Sequence, residues 1–371
     1  MKRLFPWFLM GMMLYFFIAP TEVSAATKDG LTLWFASVVP ALLPFFILSN
    51  LCMTFGVAES MGKIFRPVTE RLFHLPGEAA FVMVTGYSTG APVSAGLIAS
   101  LRKAKKLTKR QAEDMLGLCT NVSPLFILSV VAESFLGQPQ LGLTLASIHY
   151  GSNLILGFIL GFTREKVSSP RTAVSPITQT PSLGKALSDA VYHGVSTINL
   201  IGGLMIVFII LLTMMDTWGI TSMFNALIHT ILPQDMTGLF HGIWEMTIGT
   251  KELSQTASLN GLAIPFISAI LAFGGISTTI QVQSQIRDTD LTLKRYLPYK
   301  ISQSILAFLL ALFLPIKKQA VTVSGSINAV APPDLFNYQY PVWSLAVLAM
   351  MGISLALLHI QLRKKQRAFW R

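Results

Sequence analysis

Residues 79–110 read AAFVMVTGYSTGAPVSAGLIASLRKAKKLTKR, and their charge pattern decides how the whole chain is placed. The first 23 residues carry no Asp, Glu, Lys or Arg. The last nine hold Arg102, Lys103, Lys105, Lys106, Lys109 and Arg110 with no acid. Upstream, Lys63, Arg66 and Arg71 mark another basic segment. Short basic loops stay on the cytoplasmic side of a membrane. Both flanks of 79–101 therefore read as cytoplasmic, so the tract enters and leaves on one side. It is too short for two full crossings at about 20 residues each. The expectation is a re-entrant hairpin whose tip is Gly86-Tyr87-Ser88-Thr89-Gly90-Ala91-Pro92, where glycine and proline break the helix.

The rest of the chain extends this reading. Ten tracts, 4–21, 30–58, 79–101, 115–132, 134–163, 190–215, 217–234, 253–286, 301–316 and 335–362, contain no Asp, Glu, Lys or Arg; together they make about 65% of the 371 residues. Charge makes up 12% of the chain and mean hydropathy is +0.60, against about a quarter charged in soluble domains. An all-α polytopic membrane protein follows, with about eight transmembrane helices plus re-entrant hairpins. The net charge of +11 sits in short loops, which membrane topology explains and nucleic-acid binding does not. Cys52 and Cys119 lie in apolar tracts and read as core residues. No cofactor or metal motif is present; His241 and Glu245 have i, i+4 spacing, the pattern of one helix face as well as of two metal ligands.

Six segments are expected. Residues 1–29 form an N-terminal transmembrane helix or a signal-like segment; Lys2 and Arg3, the apolar run and Val23-Ser24-Ala25 fit either, and the length of the run favours the uncleaved helix. Residues 30–162 form a first gate-like repeat: a span at 31–55 broken by Pro40 and Pro44, the hairpin, an outward span at 115–135 and a return at 141–162. Residues 163–185, rich in Ser, Thr and Pro, form a cytoplasmic linker. Residues 186–316 form a second gate-like repeat. Residues 317–340 form an extracytoplasmic loop, and 341–371 a last transmembrane helix with a basic tail.

The second repeat echoes the first. Gly275-Ile276-Ser277-Thr278-Thr279-Ile280-Gln281-Val282 aligns with Gly86–Val93 through Gly, Ser, Thr and Val. Glycine-broken segments in both halves point to a transporter site between inverted repeats. One conflict remains at this point. Inverted copies aligned in this way put 287–300 outside, whereas Arg287, Lys294, Arg295 and Lys300 argue for inside.

Polar residues within apolar tracts should face a cavity or one another. The candidates for solute binding are Gly86, Thr89, Gly90 and Pro92 at the first tip, Asn121 and Ser123 in Thr120-Asn121-Val122-Ser123-Pro124, and Gly275, Ser277 and Gln281. Glu245, Thr247 and His149 are candidates for coupling or gating, since an intramembrane carboxylate is a functional expectation. The competing readings are interhelical hydrogen bonding for Asn121 and Ser123, an interfacial Glu245 paired with Lys251, and simple packing for His149.

Gly86-x-x-Thr89-Gly90-x-Pro92-x-Ser94-Ala95, Thr120-Asn121-x-Ser123-Pro124-Leu125-Phe126-Ile127, His149-Tyr150, Glu245-x-Thr247-x-Gly249 and Gly274-Gly275-x-Ser277-x-x-x-Gln281 resemble, in order, the YlbJ-type sporulation integral membrane proteins, related to the gate domain of concentrative nucleoside transporters. The chain departs from the family pattern Ser-Gly-Tyr-Pro-x-Gly-Ala at Thr89–Ala95. The resemblance implies location in the outer forespore membrane and movement of dipicolinic acid from mother cell to forespore. The implied partners are a small anionic solute, membrane lipid and other sporulation membrane proteins; the oligomeric state is left open. A nucleoside-type transporter and a non-transporting scaffold or assembly factor are the alternatives, and no enzyme activity is expected.

Overall fold

In the computed structural model the described residues are 5–162, 164, 182–229, 235–256 and 262–313. The loop expected at 317–340, the last transmembrane helix and tail at 341–371, and most of the linker at 163–185 lie outside them. The described residues are predominantly helical, without a strand among them. Five helical stretches are long and apolar enough to cross a membrane: Pro20–Thr54, Leu141–Gly161, Leu183–Thr217, Ala263–Ile286 and Tyr296–Phe313. Further crossing length comes from shorter apolar pieces, against an expectation of about eight spans. The chain is an all-α polytopic integral membrane protein.

Helix α1 (Phe5–Ile18) is followed by α2 (Pro20–Leu33), a π-helical turn (Trp34–Val38) and α3 (Val39–Thr54). The π-turn has a local cause. Pro40 lacks an N–H and crowds the preceding turn, and the Val39 N–H bonds back to Trp34, five residues away. Helix α9 (Leu183–Thr217) runs antiparallel to this stretch. Gly30 faces Ile206 and Ile209, Gly202 lies under the Trp34 ring, and Gly194 meets Ile47. The Trp34 indole N–H donates to the Ile198 carbonyl at 3.0 Å. These glycines make room on one helix for the large side chains of the other, which lets the two long helices pack closely.

Helix α4 (Val57–Leu72) shows its apolar side, Ile64, Phe65, Val68 and Leu72, at the surface. The hairpin follows as α5 (Glu78–Thr89) and α6 (Ala91–Lys103), two antiparallel arms joined at Gly90. Gly90 has φ +96°, a conformation open to glycine and strained for other residues. The expected re-entrant hairpin at 79–101 is thus present. Thr108 and Gln111 then form a capping box that starts α7 (Lys109–Cys119). The chain breaks at 120–123, resumes through the π-helical segment Phe126–Phe135, and returns as α8 (Leu141–Gly161).

The second half repeats this plan with a different alignment from the one the glycine motifs suggest. Helix α10 (Ile220–Ile228) precedes α11 (Thr237–Trp244) and α12 (Met246–Gln255), which pack against each other as a second hairpin with its bend at Glu245. Gly249 comes so close to Gly242 and the Gly238 carbonyl that even a methyl group would overlap backbone. Helices α13 (Ala263–Phe273) and α14 (Gly275–Ile286) form one broken span, interrupted at Gly274 and Gly275, both with positive φ. Helix α15 (Tyr296–Phe313) follows. The pairing of Gly86–Val93 with Gly275–Val282 is therefore corrected. The first motif lies in a hairpin, the second in a broken span, and the structural partner of 275–282 is 120–123.

This alignment removes the conflict over 287–300. The open ends of the first hairpin lie beside the loop between α14 and α15, where Arg102 bonds Asp290. Those of the second hairpin lie at the far end of α9, where Asp216 and Glu252 hold His241. The open ends of the two hairpins thus lie at different places in the helix bundle, and 287–295 lies beside the basic segment 102–110.

Candidate functional site

Each hairpin tip rests on a helix break. Gly90 lies against the Asn121 carbonyl and the Ser123 N–H; Gly275 lies against the backbone of Trp244, Met246 and Gly242. A third side chain joins the two broken spans: the Tyr296 hydroxyl sits beside the hydroxyls of Thr120 and Thr279. The contacts at Gly90 and Gly275 involve backbone at the helix breaks, which in a membrane is tolerated where protein or a cavity supplies its partners.

At the first break, Asn121 Nδ2 donates to the Leu118 carbonyl at 2.9 Å, and the Ser123 hydroxyl accepts the Phe126 N–H at 3.3 Å. The amide oxygen of Asn121 faces the ammonium of Lys300, 3.4 Å away. Lys300 Nζ also donates to Gln303 Oε1 at 2.9 Å. The same Gln303 oxygen accepts from Asn153 Nδ2 at 3.2 Å, while Gln303 Nε2 donates to the His149 carbonyl at 3.2 Å. Tyr87 donates its hydroxyl to Asn153 Oδ1 and stacks on Tyr150, ring centroids 5.2 Å apart. Tyr150 donates to the Val122 carbonyl at 2.7 Å, and Tyr299 to the Asn153 carbonyl at 2.9 Å. Lys300 is only 3% exposed. The centre is a buried polar network around the Lys300 amine.

At the second tip, Glu245 is buried and caps α12, its Oε2 accepting the Ile248 N–H at 2.8 Å. This carboxylate at a helix N-terminus sits where the helix dipole favours negative charge. The hydroxyls of Thr247 and Ser277 face it, although Ser277 Oγ falls short of hydrogen-bond geometry with any partner. The pair Glu245–Lys251 is not formed among the described ion pairs. His241 does not share a site with Glu245. Its Nδ1 lies 2.8 Å from Glu252 and its Nε2 3.1 Å from Asp216. With a carboxylate oxygen at both ring nitrogens the ring is a double donor, hence an imidazolium. No group of three metal-ligating side chains occurs among the described residues.

The remaining candidates divide by role. Gly86 is a close-packing residue, its α-carbon pressed on the Cys119 carbonyl. Thr89 bonds its hydroxyl to the Thr85 carbonyl, and Pro92 stands in the first turn of α6. Gln281 is buried on α14. His149 is buried on α8, and neither ring nitrogen has a partner among the described residues. The sequence reading missed Lys300, Gln303, Asn153, Tyr87 and Tyr296. Lys300 was counted with the basic loop. The signal was its place three residues before Gln303 at the start of an uncharged tract, which puts both on one helix face.

A cavity of about 300 Å³ is lined by Asp114, Arg164, Lys294, Arg295, Pro298 and Tyr299, among others. Asp114 bridges Arg164, at 3.4 Å, and Arg295. Glu113 Oε1 accepts both the N–H and the hydroxyl of Thr292 at 2.9 Å. These bonds lock α7 to the start of α15.

Residues 35–138 match the family described as "Gate: Nucleoside recognition". No solved structure matches the chain. The chain is similar to the sporulation integral membrane protein YlbJ of Bacillus subtilis (strain 168), with 32% identity over 334 residues, covering 81% of this chain and 82% of the relative. Similarity of that extent makes the chain a member of the YlbJ sporulation integral membrane protein family.

Proposed function

We propose that the protein is a transporter that moves a small anionic solute, dipicolinic acid, across the outer forespore membrane into the forespore. The observation that carries this reading is the contact of each hairpin tip with a helix break, Gly90 on Asn121 and Ser123, and Gly275 on Trp244 and Met246. Scaffolds have no need of broken spans at membrane depth, whereas a solute pathway between inverted repeats uses them for their free backbone groups. Asn121, Ser123, Ser277 and Gln281 are the proposed solute contacts. Glu245 and Thr247 are assigned to coupling or gating. His149 and the tip residues Thr89, Gly90 and Pro92 complete the pathway.

The family description of residues 35–138 favours a second reading, nucleoside transport. Purified protein in liposomes, loaded against labelled dipicolinate with unlabelled uridine as competitor, separates the two. Dipicolinate uptake that uridine leaves unchanged supports the first reading. Uptake of labelled uridine in a parallel assay supports the second. Absence of either, with Asn121→Ala and Ser123→Ala spores holding normal dipicolinate, supports a scaffold and removes both.

A further inference from the structure

We infer that Lys300 is the residue that pairs with the charged group of the solute, making the centre of the molecule selective for a small carboxylate over a neutral compound. The inference rests on the reading above that the chain carries a small anion, and it names the side chain that sets the charge preference.

Lys300 stands at the fifth position of α15, buried in the polar centre, yet its ammonium meets only the neutral amide oxygens of Gln303, at 2.9 Å, and Asn121, at 3.4 Å. No carboxylate lies within ion-pair distance of it among the described residues. Of the helices packed on α15, α8 and α13 contain no acid. Helix α7 contains Glu113 and Asp114, and both are engaged: Glu113 by Thr292, Asp114 by Arg164 and Arg295. A buried cation without a counter-charge is costly, and more so inside a membrane. Two oxygens satisfy two of its three donors but none of its charge. A carboxylate that enters between the hairpins satisfies both.

The surroundings suit such a group. Asn121 and Ser123 mark the break before the helical turn that begins at Pro124, so the positive end of that half-helix points to the same region. His149 is tied to Lys300 through Gln303, which bonds the Lys300 amine and the His149 carbonyl, and neither nitrogen of its ring has a hydrogen-bond partner among the described residues. One of its nitrogens can serve a second acceptor on the solute. The cavity lined by Arg164, Lys294 and Arg295 also has Tyr299, the neighbour of Lys300, in its wall.

The test compares binding of dipicolinate and of its uncharged diamide to the full-length protein in detergent, alongside dipicolinate uptake in liposomes. For Lys300→Met, dipicolinate affinity is expected to fall about 100-fold, the scale of removing one partner of a buried charge pair, while diamide affinity stays within about threefold. Lys300→Arg is expected to keep the preference for the anion. Gln303→Glu provides an internal counter-charge at 2.9 Å from the ammonium. This variant is expected to melt no lower than the wild type and still lose dipicolinate binding, so loss of fold and loss of site are told apart. A Lys300→Met protein that binds dipicolinate as the wild type does, or a Gln303→Glu protein that keeps anion binding, overturns the inference and leaves the transport reading standing. A wild-type protein that neither binds nor moves dipicolinate overturns both.

Discussion

The Arg102 guanidinium bonds both carboxylate oxygens of Asp290, each at 2.9 Å, across 188 residues of sequence. One pair of residues thereby puts the loop after the first hairpin and the loop after the second broken span on the same face. Cysteine labelling tests this. Lys103→Cys and Asp288→Cys are expected to react with an impermeant maleimide from the cytoplasmic side, and Ser134→Cys from the other. Labelling of Asp288→Cys together with Ser134→Cys would contradict the inverted arrangement.

Asp114 is buried between Arg164 and Arg295. In Asp114→Asn the two guanidinium groups face each other without a carboxylate. The loss is expected to be about 3 kcal/mol, the range for breaking a buried ion pair by removing one partner. A thermal melt of the purified protein in detergent reads it as a clear fall in Tm; an unchanged Tm would mean that the bridge contributes little.

Gly249 and Gly151 make a matched pair of helical glycines. A Cβ at Gly249 would stand 2.2 Å from Gly242, whereas one at Gly151 meets nothing within 4 Å. Gly249→Ala is expected to force the arms of the second hairpin apart at a cost of about 3 kcal/mol. Gly151→Ala is expected to be neutral or to stabilise by up to about 1 kcal/mol. Equal melting temperatures for the two variants would exclude tight packing of α11 on α12.

Glu245 both caps α12 and is an ionisable group, and two substitutions separate these roles. Glu245→Gln keeps an oxygen for the Ile248 N–H and removes the charge. Glu245→Ala removes the cap as well, at about 1 kcal/mol. If Glu245 couples transport to a proton or another cation, the glutamine variant melts like the wild type but shows an altered pH profile of dipicolinate uptake in liposomes. An identical profile rules out the coupling role.

Much of this architecture was legible in charge alone. Two basic flanks around 79–101 required a hairpin, and Gly90 marks its bend, because loop charge and helix breakers act locally. The second hairpin was not legible in the same way. Its arms are short, its bend is Glu245 rather than glycine, and the glycines that identify it, Gly238, Gly242 and Gly249, serve close packing between arms. The conspicuous glycines at 274 and 275 belong to a broken span, so motif similarity aligned unlike parts. Asn121, Ser123 and Ser277 were recognised as polar groups in apolar tracts. Lys300 was hidden by the opposite effect: a basic residue at the edge of a tract looks like loop charge until the fold shows which way its helix begins.

The lengths of the hairpin arms carry a last consequence. At 1.5 Å per residue, α5 and α6, of 12 and 13 residues, reach about 18 Å, and α11 and α12, of 8 and 10, reach about 12 to 15 Å. Together they amount to about the 30 Å of a hydrocarbon core. Neither pair of arms crosses the core alone. Under the proposed transport of a dianion, a full crossing against a membrane voltage is worth about 4.6 kcal/mol per 100 mV for two charges, so voltage as well as concentration sets the direction of net flow.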